Sequence, residues 1–114
     1  MGVASEYIPD RGDIIWVNFD PKRGREQAGE RPALVLSPVK YNQFGLLVGC
    51  PITSKIKGYN TEVLLREVSD IHGAVLTGQI HTFDWGFRGV EYITTIDEKT
   101  YKVVTQKIDI LLNH

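Results

Sequence analysis

Apolar residues come in short bursts separated by turn chemistry. Residues 14–19, Ile-Ile-Trp-Val-Asn-Phe, mix β-branched and aromatic side chains and predict a strand. Arg11-Gly12-Asp13 introduces it and Asp20-Pro21 ends it. A charged segment follows and fits neither period, having no apolar alternation and no apolar stripe. The second predicted strand covers residues 33–37; Pro38 stops it, and residues 39–43 suit a single helical turn. Residues 46–52 form a continuous apolar run, short enough for a buried strand rather than a helix. Residues 53–60 read as a polar loop with a Gly58-Tyr59-Asn60 turn signal. Residues 61–65 are the next strand and 66–73 a polar connection. Residues 74–76, continuing through 79–83, give one or two further strands, with Gly78 a candidate bulge. Asp84-Trp85-Gly86 is a turn, and 90–94 a last strand.

The C-terminal stretch changes period. Tyr101, Val104, Ile108, Leu111 and Leu112 share one face of a helix, which Asp97 can cap; Thr95 with Glu98 offers an alternative capping box. Short strands closed by one helix predict a mainly β fold with a C-terminal α-helix, built as a small, strongly bent sheet or open barrel. No repeat, low-complexity tract or linker divides the chain.

Composition adds little to that picture until charge is located. With 114 residues, 42% of them hydrophobic and 24% charged, the sequence fits one ordinary globular domain. Nothing approaches the apolar length of a membrane span, and the first residues lack the basic flank and apolar core of a secretory signal, so a cytoplasmic protein is expected. The single cysteine, Cys50, has apolar neighbours and is expected to be a buried thiol in a reducing compartment. The formal net charge of −1 hides an asymmetry. Residues 20–60 carry seven basic and three acidic side chains, whereas the rest carry six basic and eleven acidic. A basic stretch is thus joined to an acidic remainder.

Several chemistries lack their motifs. There is no Cys/His pairing at zinc spacing, no Walker or dinucleotide-binding glycine loop, and no nucleophile elbow. An enzyme built on this chain is expected to work without cofactor or metal. The positive feature is Arg31, held extended at a strand mouth by Pro32, with Glu26 before it and Thr53 at the end of the next apolar run. A guanidinium can place two parallel donors on a phosphate, a threonine hydroxyl a third, and a carboxylate can accept a proton. Such a set suits metal-free RNA cleavage, in which a 2′-hydroxyl attacks its own phosphate. An ordinary surface ion pair between Arg31 and Glu26 or Glu30 explains the same residues from spacing alone.

The string G-D-I-I-W-V-N-F-D-P-K-R-G-R-E-Q-A-G-E-R-P-A-L-V-L-S-P over residues 12–38, then Tyr41-Asn42, Pro51-Ile52-Thr53 and Lys57-Gly58-Tyr59, resembles the MazF/PemK family of toxin endoribonucleases. The likeness continues through Gly73-Ala74-Val75-Leu76, Gln79-Ile80 and Asp84-Trp85 to the final helix. It implies a single MazF-like toxin domain over residues 1–114, an SH3-like small barrel and a homodimer. It implies sequence-selective cutting of single-stranded RNA, and a cognate antitoxin whose acidic, disordered tail covers the active sites. Carried onto this sequence, the catalytic residues are Arg31, Thr53 and Glu26, and Gln79 falls on a position of RNA contact. Arg25, Gln27, Lys55, His81 and Arg88 complete the candidate RNA-binding set. Two alternatives on a similar scaffold are a toxin that poisons DNA gyrase, as in the CcdB group, and an inactive RNA- or peptide-binding module; the CcdB group lacks the E-Q-x-G-x-R-P set present here. His72 and His81 could form an acid–base pair, but nothing in the sequence brings them together, and a surface or groove role is expected for each.

Overall fold

The first strand, β1 (Asp13–Asn18), buries residues of both parities: Ile14 belongs to one apolar cluster, Ile15 and Val17 to another. Its neighbours β2 (Glu30–Val35) and β3 (Leu46–Thr53) do the same, Leu34, Cys50 and Ile52 packing on the first side, Ala33, Val35 and Leu47 on the second. A sheet covered on both faces needs strands without polar alternation. That accounts for the continuous apolar runs of the sequence. The computed structural model describes residues 6–18, 30–68 and 71–113.

The remaining elements are α1 (Val39–Asn42), β4 (Glu62–Val68), β5 (Ile71–Leu76), β6 (His81–Asp84), α2 (Trp85–Arg88), β7 (Val90–Thr95) and α3 (Glu98–Asn113). The antiparallel sheet runs β4-β5-β3-β2-β1-β7, with β6 pairing to the first half of β3. Eight-residue β3 therefore serves three partners in succession: β6 at Leu46 to Gly49, β2 at Gly49 to Pro51, and β5 at Ile52 and Thr53. The sheet curls as a small half-barrel. The expected mainly β architecture with a C-terminal helix is present. No described helix is long and apolar enough to cross a membrane.

Helix α3 lies under the first cluster, with Val104 fully buried and Tyr101 and Ile108 packed beside it. Burying a valine of that kind contributes about 1.5–3 kcal/mol. Asp97 caps the helix as expected, accepting from the Thr100 backbone N–H (3.2 Å) and hydroxyl (2.7 Å), and these bonds hold its carboxyl below the usual carboxylate range. Leu111 and Leu112 do not follow the stripe into the core; they are about half and two-thirds exposed. The second cluster is closed by Phe83, Trp85, Val90 and Tyr7.

Three sequence expectations are corrected. Residues 66–73 are not a polar connection: β4 runs to Val68 and β5 begins at Ile71. Gly78 is in a turn rather than a bulge; the irregularities fall between Leu65 and Val68 and between Ile14 and Ile15. Residues 85–88 form a helical turn capped by Asp84, whose side chain accepts from the Phe87 N–H.

A buried polar knot ties the N-terminal segment to the sheet. Asn42 is fully enclosed; its amide nitrogen donates to the carbonyls of Pro9 (2.7 Å) and Ser37 (2.8 Å), and its oxygen accepts from the Ser37 hydroxyl (2.6 Å). The Trp85 indole N–H donates to the Asn42 carbonyl (2.9 Å). The two ends of the fold meet where β1 pairs β7: the Thr95 hydroxyl donates to Asp13 (2.9 Å), 82 residues away, and Ile96 N–H to the Gly12 carbonyl.

Candidate active site

Arg31 and Thr53 lie far apart in sequence and are joined by register. Strands β2 and β3 pair Ala33 with Pro51; extending that register by two residues sets Arg31 opposite Thr53. Pro32 and Pro51 have no N–H to offer the ladder, and the paired register ends beside them. Beyond that point the strands part, and a cavity of about 500 Å³ opens. Arg31, Thr53, Ser54 and Lys55 supply its polar wall, Trp16 and Pro32 part of its apolar wall, and His72 enters from β5. None of the described residues lining it is a carboxylate. Cations and hydroxyls, with no carboxylate among the described lining, suit a phosphate.

The Thr53 hydroxyl oxygen accepts from the Lys55 backbone N–H at 3.0 Å. That bond fixes the side chain and leaves the hydroxyl proton to donate outward, toward a substrate oxygen. A second cavity, about 370 Å³, continues from the first, sharing Thr53 and Lys55 and adding Lys57, Tyr59 and Gln79. Its loop is pinned from both sides. The Glu62 carboxylate accepts from the Lys57 and Gly58 N–H groups at 2.8–3.2 Å, and Lys107 of α3 donates to the Asn60 carbonyl at 2.8 Å.

The structure thus brings together Arg31, Thr53, Lys55 and, through the second cavity, Gln79. His81 stands elsewhere: it is exposed on β6 opposite Gly49, roughly 13 Å along β3 from Thr53 by strand rise. The suggested pairing of His72 with His81 is therefore not formed. Arg88 ends α2, beyond the opposite end of β3 from the cavity. Glu26, Arg25 and Gln27 lie outside the described residues, as does the Arg88 side chain. Among the described residues, no three His, Cys, Asp or Glu side chains group as metal ligands.

Sequence reasoning gave His72 no more than a surface or groove role; the structure sets it, with Trp16, in the wall of the cavity. The neighbouring Gly73 was the available signal, since a glycine inside a strand marks a close backbone approach. Aromatic faces can stack on bases, but Phe83 is core and Trp85 is bonded to Asn42; Trp16 is one-third exposed at the cavity and Phe87 is mostly exposed.

A curled antiparallel half-barrel sheet with a C-terminal helix, bearing a cavity lined by Arg31 and Lys55 where β2 and β3 end their pairing, defines a small barrel-like β protein. The chain belongs to the family described as PemK-like, MazF-like toxins of type II toxin–antitoxin systems, which it matches over residues 10–112. The endoribonuclease toxin MazF of Escherichia coli K12 is 40% identical over 111 residues, covering 96% of this chain and 99% of the relative. The endoribonuclease toxin ChpB of the same strain is 42% identical over 90 residues, 74% of this chain and 75% of the relative. Crystalline MazF of Deinococcus radiodurans superposes with a TM-score of 0.85 at 41% identity, covering 96% of this chain and all of that one. The same organism's MazE–MazF complex gives 0.83 at 38%, covering 94% and 97%.

Proposed function

We propose that this toxin is an endoribonuclease that cuts single-stranded RNA selectively by sequence and without a metal ion. The 2′-hydroxyl attacks the adjacent phosphorus, leaving a 2′,3′-cyclic phosphate and a 5′-hydroxyl. The observation that carries this reading is the meeting of Arg31 and Thr53 in one cavity whose described lining holds no carboxylate. Arg31 offers the phosphorane a paired donor, and the Thr53 hydroxyl, held by Lys55 N–H, offers a third. Well-aimed donors of this kind contribute on the order of 3 kcal/mol each. Glu26 is assigned the 2′-hydroxyl proton by family likeness. Lys55 and Gln79 extend the binding surface into the second cavity.

The relatives crystallised with an antitoxin support an antitoxin partner for this chain. An acidic, extended antitoxin segment suits the Arg31 and Lys55 side of the same surface, so it competes with RNA. The half-exposed Ile110, Leu111 and Leu112 on α3 support a homodimer, since a lone chain leaves them in water. The site of action is the cytoplasm, where mRNA and the reducing conditions suited to Cys50 are found.

The test is incubation with a long unstructured RNA in EDTA, followed by sequencing of the ends. Site-selective cuts bearing 5′-hydroxyls are expected. RNA left whole would reject the proposal, and cutting that requires a divalent ion would reject its metal-free chemistry.

A further inference from the structure

We propose that His72 is a further catalytic residue, the acid that protonates the departing 5′-oxygen in the cavity of Arg31 and Thr53. The inference rests on the ribonuclease reading above and adds the proton donor that reading leaves unassigned.

Two features of the backbone place this residue. The first is the approach of β5 to the end of β3. A Cβ built on Gly73 would lie 2.2 Å from the Thr53 carbonyl oxygen and 3.4 Å from the Ser54 Cα, at φ +148°. Only glycine accommodates both the contact and the backbone angle. The second is the bulge of β4. Leu65 pairs with Gly73 and Val68 with Ile71, so Arg66 and Glu67 together oppose the single residue His72. A bulge of two against one re-aims the side chains around it and recurs beside active sites. Both departures from regular sheet converge on one position.

Strand parity agrees with them. Thr53 is paired with Ala74, and His72 lies two residues from Ala74 on the same face of β5. The imidazole is exposed and lines the cavity with Arg31, Thr53 and Lys55.

The chemistry then selects among the residues present. A guanidinium holds its proton too tightly to deliver it, and a lysine ammonium or threonine hydroxyl is a poor acid near neutrality. Imidazole is the side chain whose ordinary titration falls between pH 5 and 8. With RNA bound, the phosphate lies among Arg31, Lys55 and His72, supplying the anion that an imidazolium needs as partner. As the bond from the 2′-oxygen to phosphorus forms, the bond from phosphorus to the 5′-oxygen breaks. The 2′-hydroxyl proton leaves to the base, and the His72 proton goes to the 5′-oxygen. The imidazole is reprotonated from water after the products leave.

The test is a pair of single-stranded RNAs carrying the mapped cut site, one natural and one with sulfur in place of the bridging 5′-oxygen. A thiolate leaves without a proton, so it bypasses a missing acid. His72→Gln should cut natural RNA slower by about 10²-fold or more, within the usual range for acid–base assistance. On the sulfur-bridged RNA it should stay within a factor of about 3 of the parent protein, because only the proton transfer is lost. Equal losses on both substrates would make His72 a positioning group and overturn the proposal, as would an unimpaired variant. If the parent protein cuts neither substrate, the ribonuclease reading fails and this inference falls with it.

Discussion

Replacing Gly73 with alanine tests whether the site depends on the tight contact between β5 and β3. The added Cβ would meet the Thr53 carbonyl oxygen at 2.2 Å, and an ordinary contact begins at 3.4 Å, so the two backbones must part by about 1 Å. Overpacking of that kind costs about 1–3 kcal/mol. An alanine at φ +148° adds strain of the same order, about 1–3 kcal/mol, so Gly73→Ala should lose roughly 2–6 kcal/mol. A domain holding only about 5–15 kcal/mol remains folded at the lower end and is badly weakened at the upper. Gly45→Ala is the control. Gly45 has φ +105° with nothing within 4 Å of its Cβ position, so it carries the strain without the clash. Urea midpoints at unchanged slope measure both variants. The same 1 Å displacement moves Thr53 and His72 relative to a phosphate, and a misplacement of that size costs about 10²-fold in rate. Cleavage per folded molecule should therefore fall by that factor in Gly73→Ala and stay near the parent value in Gly45→Ala. Equal stability losses in the two variants, or full activity in Gly73→Ala, would refute the reasoning.

Arg31 is exposed, so Arg31→Ala should keep the urea midpoint while kcat drops by about 10²- to 10³-fold; a midpoint shift with unchanged kcat would make it structural. Asn42→Ala should do the reverse. It strips the Asn42 amide from the enclosed Pro9 and Ser37 carbonyls, at about 1–3 kcal/mol for each group left unsatisfied, while the Ser37 hydroxyl keeps its bond from the Val48 N–H; a loss under about 1 kcal/mol would contradict the knot described above. Burial pushes the Cys50 thiol up from 9.0 to about 12, so the unfolded chain ionises it first. Its contribution to stability is complete below about pH 9 and is lost as pH rises toward about 12; urea midpoints across that window should fall more steeply in the parent than in Cys50→Ala.

What could be read from the sequence was whatever burial writes into neighbouring residues. β1 and β3 sit between two apolar clusters, so their runs of Ile, Val, Leu and Cys announce them without any alternation. The β4–β5 hairpin is different. Arg66 is exposed and His72 lines a cavity beside a bulge, and a polar stretch of that kind reads as connection. Helix α3 was legible by period, yet period cannot say how far a stripe is covered: Val104 is buried and Leu112 is not. The site divides along similar lines. Arg31 and Thr53 were named from their types and from family likeness, but their proximity is a matter of strand register, which no local pattern displays. His81 looked more eligible than His72 and was the one set among the RNA-binding candidates; the pairing of β6 with the far end of β3 separates it from the cavity. Asn42 carried no mark distinguishing a buried keystone from a surface amide.

The pairing of β1 with β7 has a consequence during synthesis. A ribosome delivers β1 first, and the strand that covers its far edge follows some 82 residues later. At about 5–20 residues per second that gap lasts several seconds, during which β1 presents an unpaired edge. The helix beneath the first cluster emerges later still. Arg31 and Thr53 are therefore made early, while the sheet that holds them is completed only as the last quarter of the chain appears. A cell producing this nuclease receives it as a nascent chain without a finished frame, and the interval before it can act is set by the order of its strands.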